Sequence, residues 1–133
     1  MSRENVEIVR LLLYEAANRG DLDGALDLLD ASIHLDFSER VFNPATYQGH
    51  DGARRFYAEL DEVWDDFRTE PVEFIEAGDK VVVPHRIHGV GKGSGVEVEL
   101  PSTSICTLRD GKVVAIRMYR DHGRALEAAG LRA

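Results

Sequence analysis

Residues 78–90 read Gly78-Asp79-Lys80-Val81-Val82-Val83-Pro84-His85-Arg86-Ile87-His88-Gly89-Val90, and residues 108–119 read Leu108-Arg109-Asp110-Gly111-Lys112-Val113-Val114-Ala115-Ile116-Arg117-Met118-Tyr119. Each stretch holds a two-residue turn signal, Gly78-Asp79 or Asp110-Gly111, whose residues tolerate the positive φ that tight hairpins require. Working outward, β-forming runs extend from about Thr69 to Ala77, Lys80 to Val90, Val96 to Leu108 and Lys112 to Tyr119. The glycine-rich segment Gly89-Val90-Gly91-Lys92-Gly93-Ser94-Gly95 supplies a flexible turn between the second and third runs. Four consecutive strands joined in this way are expected to pair as an antiparallel meander. Pro71 and Pro101 lack a ladder donor and are expected at strand ends, bulges or an edge.

Upstream, the periodicity changes. From Ser2 to Arg19, Val6, Val9, Leu13, Ala16 and Ala17 recur at helical spacing, with Ser2 as N-cap and Gly20 just past the end. Asp21 can cap a second, shorter helix carrying Leu22, Ala25, Leu26 and Leu29, so the two should form a tight pair. Ile33-His34-Leu35-Asp36-Phe37 alternates as a half-buried strand does, and a loop with Asn43-Pro44 and Gly49 follows. A third helix is expected after the cap Asp51, with Ala53, Phe56, Tyr57, Leu60, Val63, Trp64 and Phe67 on one stripe. A final short helix starts at Asp121, buries Ala125, Leu126 and Ala129, and stops at Gly130. The order is helix, helix, strand, helix, four strands, helix, which is α+β, and it is expected to form a single domain over residues 1–133.

Composition narrows the function classes. No apolar run approaches the roughly 20 residues that span a bilayer, so a membrane protein is not expected. The start Met1-Ser2-Arg3-Glu4 lacks the basic and apolar pattern of a secretory signal, and a cytoplasmic location is expected. Cys106 is the sole cysteine, which excludes an internal disulfide and a cysteine-based zinc site. With 16 basic residues against 24 acidic ones, the formal charge is -8, which repels a phosphate backbone; no nucleic-acid partner is expected.

The element order, the stretch Ala16-Ala17-Asn18-Arg19-Gly20-Asp21-Leu22-Asp23-Gly24-Ala25-Leu26 and the ending Ala125-Leu126-Glu127-Ala128-Ala129-Gly130-Leu131 resemble the SnoaL-like branch of the nuclear transport factor 2-like superfamily. The resemblance covers essentially the whole chain. It implies a cystatin-like cone, in which helices pack on the concave face of a curved antiparallel sheet and enclose a pocket, and often a homodimer packed through the sheets. It does not fix an activity, because the superfamily includes polyketide cyclases, ketosteroid isomerases, dehydratases, epoxide hydrolases and binding modules. The isomerases use a tyrosine on the first helix and two acids on strands. Here the tyrosine position falls on Leu13, with Tyr14 about 100° around the helix, and the second acidic position holds Ser104. Asp36, the nearest acid on the first strand, has the opposite parity to Ile33, Leu35 and Phe37. The isomerase mechanism therefore does not transfer. The cyclases rely on aspartate, but Asp121 is accounted for as a helix cap.

Strand parity selects other candidates. Val81, Val83, His85 and Ile87 share a face, as do Val96, Val98, Leu100, Ser102, Ser104, Cys106 and Leu108. With the apolar members inward, His85, Ser102, Ser104 and Cys106 form a polar spot in a pocket otherwise lined by Phe37, Phe56, Leu60, Trp64, Ile116 and Met118. His85 is the candidate general base, since burial would keep its imidazole neutral; the alternative is a satisfied core histidine. Ser104 and Cys106 lack an orienting carboxylate and read as strand filler. His85 and His88 fall on opposite faces of a strand and cannot share a metal, and no metal or other cofactor is expected. His34 and Asp36 share a face that is expected to be the outer one.

These residues suggest a small-molecule pocket protein that binds an apolar or polycyclic metabolite, with cofactor-free acid/base chemistry of isomerase, cyclase or hydratase type through His85. The alternative is a non-catalytic ligand-binding or dimeric interaction module. Arg86, His88, Arg117 and Tyr119 are expected on the outer sheet face, where a homodimer contact would form.

Overall fold

Alternating apolar residues in the second half of the chain need a surface to cover, and two amphipathic helices in the first half supply it. The computed structural model describes residues 2–40 and 44–131. Helix α1 runs over Ser2–Arg10, passes through a π-helical stretch at Leu11–Ala16 and closes with Ala17–Arg19. Helix α2 spans Leu22–Leu28, and the Asp21 carboxylate caps it by accepting the Gly24 N–H at 3.0 Å. A Cβ at position 24 would collide with that carboxylate, so the glycine makes room for the cap. The capping role expected of Ser2 concerns a side chain outside the described set.

Strand β1 covers Leu29–Phe37, β2 Ala45–Gln48, β3 Trp64–Pro71, β4 Ile75–Ala77, β5 Lys80–Gly91, β6 Glu97–Arg109 and β7 Lys112–Tyr119. Helix α3 spans Gly49–Val63 and α4 spans His122–Ala128. Among the described residues the strands form one curved, unclosed sheet in the order β2-β1-β7-β6-β5-β3, with β4 also beside β5. The meander over β5, β6 and β7 is antiparallel, as the turn signals require; Asp110 and Gly111 take φ of 52° and 78°, and Gly78 takes 64°. β1 joins the sheet parallel to β7, setting Leu35 against Ile116.

Several expectations need correction. The run from Thr69 to Ala77 is not one strand: β3 begins at Trp64, the pairing lapses after Pro71, and β4 resumes at Ile75. Trp64 and Phe67 therefore belong to β3, not to the helix. A bulge between Trp64 and Asp66 brings these side chains, three residues apart, to one face and so imitates a helical stripe. Leu29 opens β1 instead of closing α2. The loop before α3 contains the short strand β2, paired with β1; Asn43, expected in that loop, lies outside the described residues. Helix α3 starts two residues before Asp51, without a side-chain cap, and Asp51 pairs with Arg54 at 2.7 Å instead. Gly89 lies inside β5 and not in a turn. Pro71 ends an edge strand as expected, whereas Pro101 sits within β6, beyond the last β7 pair at Thr103, where one side of the strand has no partner.

The sheet has two unlike faces. On the concave side Val81, Val83, Cys106, Val113 and Ile116 pack with Val9, Leu12, Ala16, Ile33, Leu35, Tyr47 and Ala53 from the helices and the first strands. On the other side Val82, Ile105 and Tyr119 pack under Ala125 of α4. The last helix thus covers the opposite face from α1, α2 and α3. Asp121 caps it through the Arg124 N–H at 3.1 Å, and Gly130, at φ 80°, ends it.

Candidate functional site

Between α1, α3 and the concave face of the sheet lies a cavity of about 440 Å³. Leu12 and Leu13 reach it from the π-helical part of α1; the wider turn there lets two consecutive residues face inward. Phe56, Tyr57, Leu60 and Val63 enter from α3, and Trp64, Phe67 and Thr69 from β3. The sheet supplies Leu35 and Phe37 from β1, His85 and Ile87 from β5, Ser102 and Ser104 from β6, and Ile116 and Met118 from β7. All the lining residues anticipated from parity border this cavity except Cys106, which is packed in the core opposite Ile116 with no exposure. Burial pushes the Cys106 thiol up to about 12, so it is no nucleophile.

The polar end of the cavity is built around His85. Its Nε2 lies 2.8 Å from Ser104 Oγ and 3.2 Å from Ser102 Oγ, and its Nδ1 lies 3.1 Å from Thr69 Oγ1. Each of these hydrogen-bond partners of the ring is a neutral hydroxyl. With no carboxylate to stabilise an imidazolium, burial alone draws the His85 pKa down to about 4 and the ring stays neutral. A neutral imidazole offers one donor and one acceptor, so one nitrogen receives a hydroxyl proton while the other gives its own.

Thr69 is a site residue that strand parity did not reach, because the start of β3 was read as helix. Its placement depends on α1. The Asn18 side-chain amide donates to the Thr69 carbonyl at 2.9 Å, and Asn18 Oδ1 accepts the Thr69 N–H at 2.8 Å. Asn18 thereby fills the hydrogen-bonding positions of an absent neighbour at the edge strand. Tyr57 was on the expected stripe of α3 but was not among the expected lining residues; burial, helped by the charge of Asp21, raises its phenol to about 12.

The other end of the cavity is charged and aromatic. Arg40 lies 5.4 Å from the centre of the Phe37 ring and 5.7 Å from that of Phe56, and donates to the Tyr47 hydroxyl at 3.0 Å. That hydroxyl donates in turn to the Glu59 carboxylate at 3.2 Å. Elsewhere on the wall, Glu62 and Arg120 are the remaining charged lining residues.

The residues at positions tied to isomerase or cyclase chemistry stand apart. Leu13 occupies the cavity wall, while Tyr14 is 47% exposed outside it. Asp36 accepts from the Ser38 hydroxyl at 2.6 Å on the other side of the strand, which holds its carboxyl below the usual range. His34 bonds to Gln48 at 2.9 Å, so it has no carboxylate orienter in Asp36. His88 lies near Glu70 and Glu99 on the face opposite His85. Among the described residues, no three His, Cys, Asp or Glu side chains gather to hold a metal. Tyr119, expected to be available for a partner, is covered by α4 and flanked by the guanidinium groups of Arg117 and Arg124 at 4.9 and 5.7 Å from its ring. None of the described helices is long and apolar enough to cross a membrane.

A family model described as a SnoaL-like domain matches residues 11–116. No curated protein sequence matches significantly. Among solved structures, the chain is similar to an NTF2-like protein of unknown function from Burkholderia pseudomallei K96243, at 25% identity and a TM-score of 0.77, over 93% of this chain and 95% of that one. A SnoaL-like protein from Jannaschia sp. CCS1, described as a putative polyketide cyclase, is 27% identical with a TM-score of 0.76, over 89% of this chain and 85% of that one. TerC, co-crystallized with polyporic acid, is 26% identical with a TM-score of 0.76, over 96% and 98% of the two chains.

Proposed function

This chain belongs to the SnoaL-like domain family, and we propose that it binds an apolar, polycyclic small molecule in the cavity between α1, α3 and the sheet. One observation carries this reading: an apolar hollow of about 440 Å³ ends on a single cluster of hydroxyls around a neutral histidine. That volume lies in the range of small-molecule sites, and a few convergent polar groups in an apolar wall are how such sites orient a ligand. The polyporic acid complex of TerC supports the same use of this fold.

Within that site His85 is the group that handles a proton. Its neutral imidazole takes a proton from the ligand, and Ser102 and Ser104 hold the oxygen on which charge develops. Burial makes it a weak base. The proton it removes must therefore be an acidic one, such as that on carbon between two carbonyls. No cofactor is required for such a step.

The outer sheet face is already paired and covered. There Arg86 pairs with Glu99, Arg117 lies 3.6 Å from Asp36, and α4 covers the apolar residues. Titration with a panel of polycyclic hydroxyketones, followed by Trp64 fluorescence, tests the binding reading. Saturable quenching that disappears in Ile87→Phe, which narrows the cavity without adding a second tryptophan, is the expected result. Quenching that persists unchanged in that variant would reject it.

A further inference from the structure

The hydroxyl and imidazole end of the cavity is neutral, yet a cation stands beside it. Strand β7 ends at Tyr119, which pairs with Thr103, and Arg120 follows directly; Arg120, Ser102 and His85 border the same cavity and also line a smaller hollow together. The parity of Arg120 is that of Ile116 and Met118, and like them it borders the cavity. Ser102 is itself paired with His85 across β5 and β6. The paired residues His85 and Ser102 thus share their lining of the cavity with Arg120.

The arginines nearby are already matched. Glu39 takes the guanidinium of Arg124, approaches Arg117 at 4.0 Å, and accepts only the backbone N–H of Arg120, at 3.1 Å. Arg86 is held by Glu99. Among the described residues no carboxylate pairs with the Arg120 side chain. The acid on the cavity wall that could compete, Glu59, is engaged by the Tyr47 hydroxyl at the Arg40 end, and Glu62, solvent-exposed like Arg120 itself, makes no ion pair with it.

We propose that Arg120 determines specificity at this cavity, so that the preferred ligand carries an anionic oxygen, as carboxylate, enolate or phenolate, seated between Arg120 and Ser102. The physical need is plain: a buried anion without a counter-charge is costly, and the hydroxyls around His85 supply none. A guanidinium at the rim provides the counter-charge and a two-pronged hydrogen-bonding geometry for oxygen. This inference rests on the reading that the cavity binds a small molecule.

The test uses two fluorescent probes with the same rings, 8-anilinonaphthalene-1-sulfonate, which is anionic, and N-phenyl-1-naphthylamine, which lacks the sulfonate. Titration of the wild-type chain should show a preference for the anionic probe. Arg120→Gln should reduce that preference about tenfold while the neutral probe's Kd stays within twofold, and Arg120→Lys should keep part of it. An anionic-to-neutral ratio unchanged in Arg120→Gln overturns the role of Arg120 and leaves the binding cavity standing. If neither probe binds the wild-type chain, the cavity reading falls and this inference with it.

Discussion

The indole of Trp64 lies against the backbone of Gly89, so that a Cβ at residue 89 would fall 2.7 Å from its Cε3 and 2.8 Å from its Cζ3. Trp64 walls the cavity from β3, and Gly89 in β5 is the recess that lets it do so. Gly89→Val should force the ring out of place and cost about 1–3 kcal/mol. Trp64 is the only tryptophan, so its emission reports the displacement directly. A native-like spectrum and an unchanged urea midpoint would contradict the packing described.

His85 sets a pH dependence. Its folded pKa of about 4 lies below the ordinary 6.5, so between these values the unfolded chain binds a proton that the folded chain does not. Stability is therefore full above pH 6.5, falls as the pH drops towards 4, and is lower by about 3 kcal/mol once both states are protonated. Urea unfolding at pH 7.5 and 4.5 should show this slope, and His85→Gln should flatten it. An equal slope in the variant would mean that other groups produce it.

Asn18 should matter more than an ordinary helix-surface residue. Asn18→Ala removes both hydrogen bonds to the Thr69 backbone and loosens the hydroxyl that faces His85 Nδ1. A loss of about 1–3 kcal/mol is expected, together with faster hydrogen exchange at the Thr69 amide. Protection at Thr69 equal to wild type would show that the edge strand holds without the clamp.

Cys106 should be inert in the folded chain. It is fully buried and its thiol titrates near 12. Iodoacetamide at pH 8 should label it only in urea, at a rate that follows global unfolding. Rapid labelling without denaturant would mean that the core around β6 opens locally.

The parts of this architecture that were legible in the sequence are those coded by neighbours. The ends of β7 follow from Asp110-Gly111 on one side and the Asp121 cap on the other, and parity alone aimed His85, Ser102 and Ser104 at the concave face. What escaped depends on distant contacts. The spacing of Trp64 and Phe67 fits a helix as well as a bulged strand, and only pairing with β5 decides between them. The loss of that boundary hid Thr69, whose role becomes visible only when Asn18, in the first helix, meets the edge strand. β2 is too short to show a period, with Tyr47 as its one fully packed side chain. Tyr119 was assigned to an open surface because nothing local shows that α4 folds back over it.

The widened turn at Leu11–Ala16 makes the roof of the hollow sensitive to residue count as well as to residue type. A π-helical turn is where a helix absorbs one extra residue, so deleting one amino acid there would restore ordinary winding while the helix on either side keeps nearly its present face. Leu12 and Leu13 would no longer both look inward. A single codon lost or gained in this stretch is thus a route to a differently shaped interior that leaves the sheet beneath it untouched.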